Sequence, residues 1–302
     1  MELWIPEQPG HEALGEEVAG VGVHRFPASG PLPGAIAEAE FLVPGQDSKE
    51  LLELLPGMGS LRVVQALSAG IDWLAPHLPP KVTLCDARGA RDGAVAEWIM
   101  AAILSSVKLV GEMRDRQRGH RWEWSEPEDL AGKTFVILGY GSIGAAVEVL
   151  LEPFGGTVVR VARHARTGVH PVDDLPRLLG RADVLIVALP LTGETTGLLD
   201  AEMLGCLPEG ALLVNASRGA VVDTDALVAL LGEGRLKAVL DVTDPEPLPP
   251  EHPLWDAKGA LITAHIAGDS PLARRRAWEL VGEQVGRYVC GKKLVNVVRG
   301  DY

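Results

Sequence analysis

Cysteine is scarce in this 302-residue chain. There are three, Cys85, Cys206 and Cys290, far apart and odd in number. No CxxC pair or metal-ligand spacing joins them, so neither a disulfide scaffold nor a cysteine zinc site is expected. Basic residues are also few: 28 Lys and Arg against 41 Asp and Glu give a formal net charge of −13. A phosphate backbone attracts a basic surface, so nucleic acid is excluded as a main partner, although a local basic cluster can still hold an anion. Long apolar runs are missing as well. Nothing approaches the roughly 20 apolar residues that span a bilayer. The start, Met1-Glu2-Leu3-Trp4-Ile5-Pro6, carries no basic, apolar leader pattern. These absences make no membrane and a reducing cytoplasm the expected setting. Internal repeats and low-complexity tails are absent too.

What is present is core material: 47% hydrophobic and 23% charged residues, as in an ordinary globular protein. The length suits about two domains. In the first 92 residues, Ala39–Val43, Leu61–Ala66 and Val82–Cys85 read as strands, with a short helix over Ser48–Leu55. From Asp92, a plausible N-cap, to about Arg118 a helix is expected. Val95, Trp98, Ile99, Ala102, Ile103 and Val107 recur at helical spacing. Six strands then alternate with helices: Thr134–Leu138, Thr157–Val161, Val184–Ala188, Ala211–Asn215, Ala238–Val242 and Leu261–Ala264. Such alternation of apolar strands with helices predicts a doubly wound parallel sheet. A second long helix runs from Pro271 to about Val289, and the tail Leu294–Val298 is free to return to the first domain. The expected architecture is α/β. A larger doubly wound domain over 93–271 is inserted in a smaller α/β domain made of 1–92 and 272–302.

The strand Phe135–Leu138 runs into Gly139-Tyr140-Gly141-Ser142-Ile143-Gly144. Glycines at this spacing suit a tight turn, a close approach to a pyrophosphate and a tight helix–strand contact. Ser142 and Ile143 open the helix whose N-terminus faces the anion. Alone, the motif also fits a packing turn. Three later segments each follow a predicted strand, where an open α/β sheet forms its ligand crevice. Asn215-Ala216-Ser217-Arg218-Gly219 offers a permanent planar cation for a carboxylate or polarised carbonyl, or a surface arginine in a turn. Asp241-Val242-Thr243-Asp244-Pro245-Glu246-Pro247 reads either as support for a catalytic base or as an acidic loop, and its spacing specifies no metal. Ile262-Thr263-Ala264-His265-Ile266-Ala267-Gly268 places His265 at the end of an apolar strand, before a glycine. None of the other seven histidines has that setting. Imidazole exchanges a proton near neutral pH, although a satisfied core histidine has the same pattern.

Taken in order, these pieces resemble the D-isomer-specific 2-hydroxyacid dehydrogenase family. The likeness includes Leu189-Pro190-Leu191-Thr192 with Thr195, and Ser68-Ala69-Gly70-Ile71-Asp72, and covers nearly the whole chain. It implies that 93–271 is a Rossmann nucleotide domain and that 1–92 with 272–302 is a flavodoxin-like substrate domain, and it implies hydride transfer between NAD(P)H and a small 2-oxo or 2-hydroxy acid, of the glyoxylate or hydroxypyruvate type. Arg218 then holds the substrate carboxylate and carbonyl, His265 is the acid–base, and Glu246 pairs with it. Asp241 lies near the nicotinamide, and Leu189, Pro190, Thr195, Ala216 and Ser217 lie along the dinucleotide. The backbone of Ala69 and Gly70 binds the substrate carboxylate. Leu42-Val43-Pro44, Ser68–Ile71 and Trp255 surround the substrate side chain. The helix from Asp92 and Trp122-Glu123-Trp124 resemble the family's dimerisation region, which implies a homodimer. Ala264 stands where family members often have proline. The formate-type branch pairs its histidine with glutamine, so Glu246 counts against it. The class alternative is a nucleotide-sensing, corepressor-like protein of the same fold.

The second strand of the nucleotide domain ends at Ala162, where an NAD-selective site has an acid for the ribose 2′-hydroxyl. Arg163, His164 and Arg166 follow instead. Arginines there suit a 2′-phosphate, so NADP is the expected cofactor and NAD the second choice.

Overall fold

The computed structural model describes residues 1–14, 20–45 and 49–299. They form two compact units: Met1–Arg91 with Asp269–Tyr302, and Asp92–Gly268.

The first unit has five parallel strands: β1 (Glu2–Glu7), β2 (Gly22–Pro27), β3 (Phe41–Leu42), β4 (Val63–Gln65) and β5 (Thr83–Cys85). Their order is β2-β1-β3-β4-β5, which is the flavodoxin-like arrangement. Alternation across the pleat divides the core. Trp4, Leu42 and Val64 face a cluster with Ile36, Leu51 and Leu74. Leu3, Ile5, Phe41, Val43 and Val63 face Trp278, Val281 and Val285 of the long helix α8 (Pro271–Val289). Ser270 caps α8, accepting from the Ala273 N–H at 3.1 Å. The tail closes on the sheet edge, where the Val298 N–H donates to Leu84 O at 2.9 Å.

Two strands of this sheet carry weak sequence signals. β1 contains Pro6, a residue that argues against a strand interior, and β2 is an edge strand in which only Phe26 is buried. The helix expected from Ser48 is α1 (Lys49–Leu54), continued by a 3₁₀ turn over Leu55–Gly57. Ser48 itself lies outside the described residues.

The second unit holds seven parallel strands: β6 (Thr134–Leu138), β7 (Thr157–Ala162), β8 (His170–Pro171), β9 (Val184–Val187), β10 (Ala211–Asn215), β11 (Leu236–Leu240) and β12 (Ala260–Ile262). Their order, β12-β11-β10-β9-β6-β7-β8, is a doubly wound Rossmann-type sheet whose direction of winding switches between β6 and β9. Phe135, Ile137, Val184, Ile186, Leu212 and Val214 pack under α2 (Asp92–Val107) and α4 (Ser142–Leu151). The intervening residues Val136, Leu138, Leu185, Val187 and Leu213 face the opposite cluster, with Leu175, Leu204 and Leu227.

The single helix expected over Asp92–Arg118 is broken. It divides into α2 and α3 (Val110–Arg118), bent by 61°. Leu109 takes the left-handed region at φ 56°, and the Val107 carbonyl accepts the Glu128 N–H at 2.9 Å. The cause is in the burial pattern: α2 buries Val95, Ile99 and Ile103, whereas α3 buries no residue. Asp92 is the first helical residue rather than the cap before it. Among the described residues no single helix is long and apolar enough to cross a membrane. The remaining helices are α5 (Leu175–Leu179), α6 (Ala201–Gly205) and α7 (Thr224–Gly232).

Candidate active site

Every strand of the second sheet is parallel, so the carboxyl ends of β6, β7, β9, β10, β11 and β12 share one edge. The glycine turn follows β6. Gly139 has φ 101°, and a Cβ there would stand 2.5 Å from the backbone of Ala188 at the end of β9. A Cβ on Gly144 would meet Ile137 Cγ2 at 3.0 Å and Gly139 O at 3.1 Å. A Cβ on Gly141 would meet nothing within 4 Å. The first and third glycines therefore serve packing, and the second leaves open space before α4. The first bond of that helix runs from the Ala145 N–H to Gly141 O at 3.0 Å, so the amides of Ser142, Ile143 and Gly144 precede the helical ladder. Amides so placed form a candidate anion cradle, one that suits a dinucleotide pyrophosphate.

The next loops are built from their own polar side chains. After β9, Thr195 Oγ1 donates to Pro190 O at 2.7 Å and accepts the Thr192 N–H at 2.7 Å, closing the turn. Pro190 is exposed there, but Leu189 is buried in the core. After β10, buried Asn215 accepts from the Ser217 N–H at 3.0 Å and Ser217 Oγ at 2.8 Å, and donates to Arg218 O at 3.0 Å. Ser217 is thus internal support, while half-buried Ala216 and Arg218 border the edge. The Arg218 guanidinium donates to Ser217 O at 2.8 Å.

Gly219 couples two loops. A Cβ there would lie 2.0 Å from the Thr243 carbonyl. Only glycine lets the arginine turn lie directly on the chain leading to Glu246. Thr224 Oγ1 donates to Asp244 O at 2.9 Å and Thr243 Oγ1 to Pro245 O at 2.9 Å, which shapes that chain.

His265 and Glu246 meet: Nδ1 is 2.7 Å from Oε1. The side chains are 47% and 40% exposed, so the pair is open at the edge of the fold. With Nδ1 engaged by the carboxylate, Nε2 is the ring nitrogen left for a substrate oxygen. His265 does not directly end a strand, as its sequence position suggested. β12 stops at Ile262 and His265 lies in a turn at φ 53°.

Asp241 holds that turn. It is 2% exposed, one residue beyond β11 rather than within a strand reaching Val242. Its Oδ1 accepts from Thr263 Oγ1 at 2.5 Å and the Ile266 N–H at 2.9 Å, and its Oδ2 accepts the Ala267 N–H at 2.8 Å. Its carbonyl accepts the His265 N–H at 2.8 Å. Supporting roles for Thr263, Asn215 and Gly219 were not expected. Polar residues beside strand ends were the available signal.

At the end of β7, Arg163, His164 and Arg166 are exposed. Arg163 pairs with Glu194 at 2.7 Å. Arg160, Tyr140 and Glu148 form an adjacent cluster. There the Arg160 guanidinium holds the Glu148 carboxyl below its ordinary range, and the Glu148 hydrogen bond raises the Tyr140 phenol.

Ala69 and Gly70 belong to the first unit, in the turn after β4, where Ser68 Oγ donates to Gly70 O at 2.8 Å. Leu42 and Val43, expected beside a substrate, are wholly buried in that unit's core. Trp255, in the second unit, is half exposed, and its indole donates to Pro249 O at 2.8 Å.

Comparison with known proteins agrees with this geometry. Residues 100–267 match the model of the D-isomer specific 2-hydroxyacid dehydrogenase NAD binding domain. A glyoxylate reductase of Thermofilum pendens is 32% identical over 265 residues, 82% of this chain and 75% of that one. The crystal structure of a D-isomer specific 2-hydroxyacid dehydrogenase from Xanthobacter autotrophicus Py2, in complex with NADPH and MES, is 28% identical. It superposes with a TM-score of 0.83, covering 99% of this chain and 98% of that one. An NADPH-dependent glyoxylate/hydroxypyruvate reductase from Sinorhizobium meliloti, in complex with NADP and sulfate, is 26% identical. Its TM-score is 0.83, over 98% of this chain and 97% of that one. With its fold, glycine cradle and His265–Glu246 pair, the chain belongs to the D-isomer-specific 2-hydroxyacid dehydrogenase family.

Proposed function

We propose that this oxidoreductase is an NADP-preferring reductase of small 2-oxo acids, of the glyoxylate or hydroxypyruvate type. The observation that carries the reading is the His265–Glu246 pair, 2.7 Å apart on the sheet edge that also bears the glycine cradle and Arg218. A nicotinamide bound on that edge supplies or accepts the hydride at C2 of the acid. Arg218 binds the substrate carboxylate and carbonyl oxygen with its planar fork and stabilises the negative charge that grows on that oxygen. His265, as imidazolium, gives its Nε2 proton to the same oxygen. Glu246 orients the ring through its contact with Nδ1. In the reverse direction His265 takes the hydroxyl proton. The amides of Ala69 and Gly70 are proposed, on the resemblance alone, as substrate-carboxylate ligands.

Three features support the cofactor preference: the missing acid at Ala162, the basic run Arg163-His164-Ala165-Arg166, and two relatives described with NADPH or NADP. Oxidation of NADPH and NADH is to be followed with glyoxylate, hydroxypyruvate, pyruvate and bulkier 2-oxo acids. Turnover with a better kcat/KM for NADPH is expected. A better value with NADH overturns the preference. Tight cofactor binding with no turnover on any acid overturns the enzyme reading in favour of a sensor.

A homodimer is part of the same proposal. Trp122 and Trp124 stand almost fully exposed on the segment after α3. Arg116 holds that segment by donating to Glu123 O at 2.8 Å and Ser125 Oγ at 2.7 Å. Exposed tryptophan at a fixed position is costly unless covered. Light scattering should give a dimer mass, and Trp122→Ser with Trp124→Ser should give a monomer. The free cysteines suit a reducing, cytoplasmic setting.

A further inference from the structure

Tyr140 stands between the first two glycines of the cradle, where the dinucleotide motif places no demand on the side chain. Its surroundings here are specific. Two guanidinium groups flank its ring: Arg160 Cζ is 5.5 Å and Arg166 Cζ 5.8 Å from the ring centroid. The phenol donates to Glu148, which also receives Arg160 Nη2, and Arg160 Nε at 2.8 Å. Arg166 Nη2 donates to the Tyr140 carbonyl, so Arg166 reaches the glycine turn itself. A two-way backbone pairing of Arg166 with Val169, at 3.2 and 2.8 Å, fixes the hairpin that carries it.

The charges around this ring are not equivalent. Glu148 neutralises Arg160, and Glu194 pairs with Arg163. Among the described residues no carboxylate pairs with Arg166. It is an arginine held by a ring face and one carbonyl, with its charge uncompensated, near the strand end where a 2′-substituent of the adenosine ribose is read. We propose that Tyr140 is a positioning residue for cofactor selectivity, its ring holding the Arg166 guanidinium at the glycine turn as a ligand for the 2′-phosphate. This rests on the NADP reading above. Glu148 keeps Arg160 occupied, so that Arg166 is the cation presented to the phosphate.

Steady-state kinetics of the full chain with NADPH and NADH test it. Wild type should have the better kcat/KM with NADPH, and Arg166→Ala should raise KM for NADPH at least tenfold. Tyr140→Ala should raise KM for NADPH about fivefold, the size of an exposed cation–π contact, and leave KM for NADH and both kcat values within about twofold. Tyr140→Phe, which keeps the ring, should retain the wild-type ratio. In the Arg166→Ala background, Tyr140→Ala should add no further loss. Equal losses with both cofactors would show a distorted turn and overturn the proposal. So would a Tyr140→Ala ratio unchanged beside a collapsed Arg166→Ala ratio, equal losses in Tyr140→Phe and Tyr140→Ala, or additive losses in the double variant. A wild-type preference for NADH would overturn the NADP reading itself, and this inference with it.

Discussion

The backbone carbonyl of Asp241 accepts the His265 N–H at 2.8 Å, and its carboxylate takes the next two amides, of Ile266 and Ala267. One buried acid thus binds three consecutive residues of the histidine turn and keeps His265 at φ 53° without the proline many family members carry before it. Asp241→Ala leaves two amides and the Thr263 hydroxyl without their acceptor. Each unsatisfied buried group costs about 1–3 kcal/mol. A fall in unfolding free energy of at least about 2 kcal/mol is expected, with kcat down tenfold or more. Urea unfolding and initial rates check both. Wild-type values for the two would mean that the turn holds itself.

The same turn delivers His265 to Glu246. His265→Ala removes the proposed proton donor and should lower kcat by about 10²–10⁴. Arg218→Ala removes the proposed charge stabilisation, of the kind worth about 3–4 kcal/mol, so its loss should be comparable. Glu246→Gln keeps a hydrogen-bonding group of the same shape but loses the charge. The ring is then held less firmly, so kcat should fall by less than in His265→Ala, while Kd for the cofactor stays near wild type. Initial rates and cofactor titrations on the three variants decide. Wild-type turnover in His265→Ala would refute the acid–base role.

Legibility followed burial. Strands β6 and β10 were read to the residue because both faces of Phe135–Leu138 and Ala211–Val214 are covered, which leaves an unbroken apolar run. β2 was invisible because an edge strand needs to bury only Phe26. In the sequence α3 continues the helical pattern of α2, because its polar residues suit an exposed helix. Only the absence of a buried face separates it from α2. At the site, the roles given to Arg218, Glu246 and His265 come from the resemblance and not from any one segment, and the 2.7 Å meeting of His265 with Glu246 is what the structure adds. Asp241 was legible as an acid but not as the holder of the turn. That role depends on which amides its oxygens meet, and β11 and β12 each end two residues earlier than the apolar pattern does.

The cysteines offer a test of the first unit's core. Burial pushes the Cys85 thiol up to about 11, although a Gln284 hydrogen bond opposes the shift. A thiol so raised is almost wholly protonated at pH 8, and only the thiolate is nucleophilic. Cys290 is exposed. Iodoacetamide at pH 8 should modify Cys290 first and leave Cys85 intact until the unit opens in denaturant, as read by peptide mass spectrometry. Labelling of Cys85 at the rate of Cys290 in the native protein would contradict its burial.

The three glycines of the cradle should separate folding from binding. At Gly139 a side chain would combine φ 101° with a 2.5 Å approach to the Ala188 backbone, and neither neighbour is a flexible side-chain end. Gly139→Ala should therefore destabilise the whole unit, lowering its melting temperature by several degrees and its soluble yield. Gly144→Ala faces contacts of 3.0–3.3 Å to Ile137, Gly139 and Tyr140 and should be intermediate, since the isoleucine methyl can give way more easily than backbone. Gly141→Ala meets nothing in the protein, so its stability should match wild type. The methyl there projects into the space before the amides of Ser142 and Ile143, where a pyrophosphate must approach the chain. Its Kd for NADPH, by fluorescence titration, should rise at least tenfold. Unimpaired binding in Gly141→Ala would mean that the open space is not the pyrophosphate's. Low stability in that variant would mean that the second glycine serves packing after all.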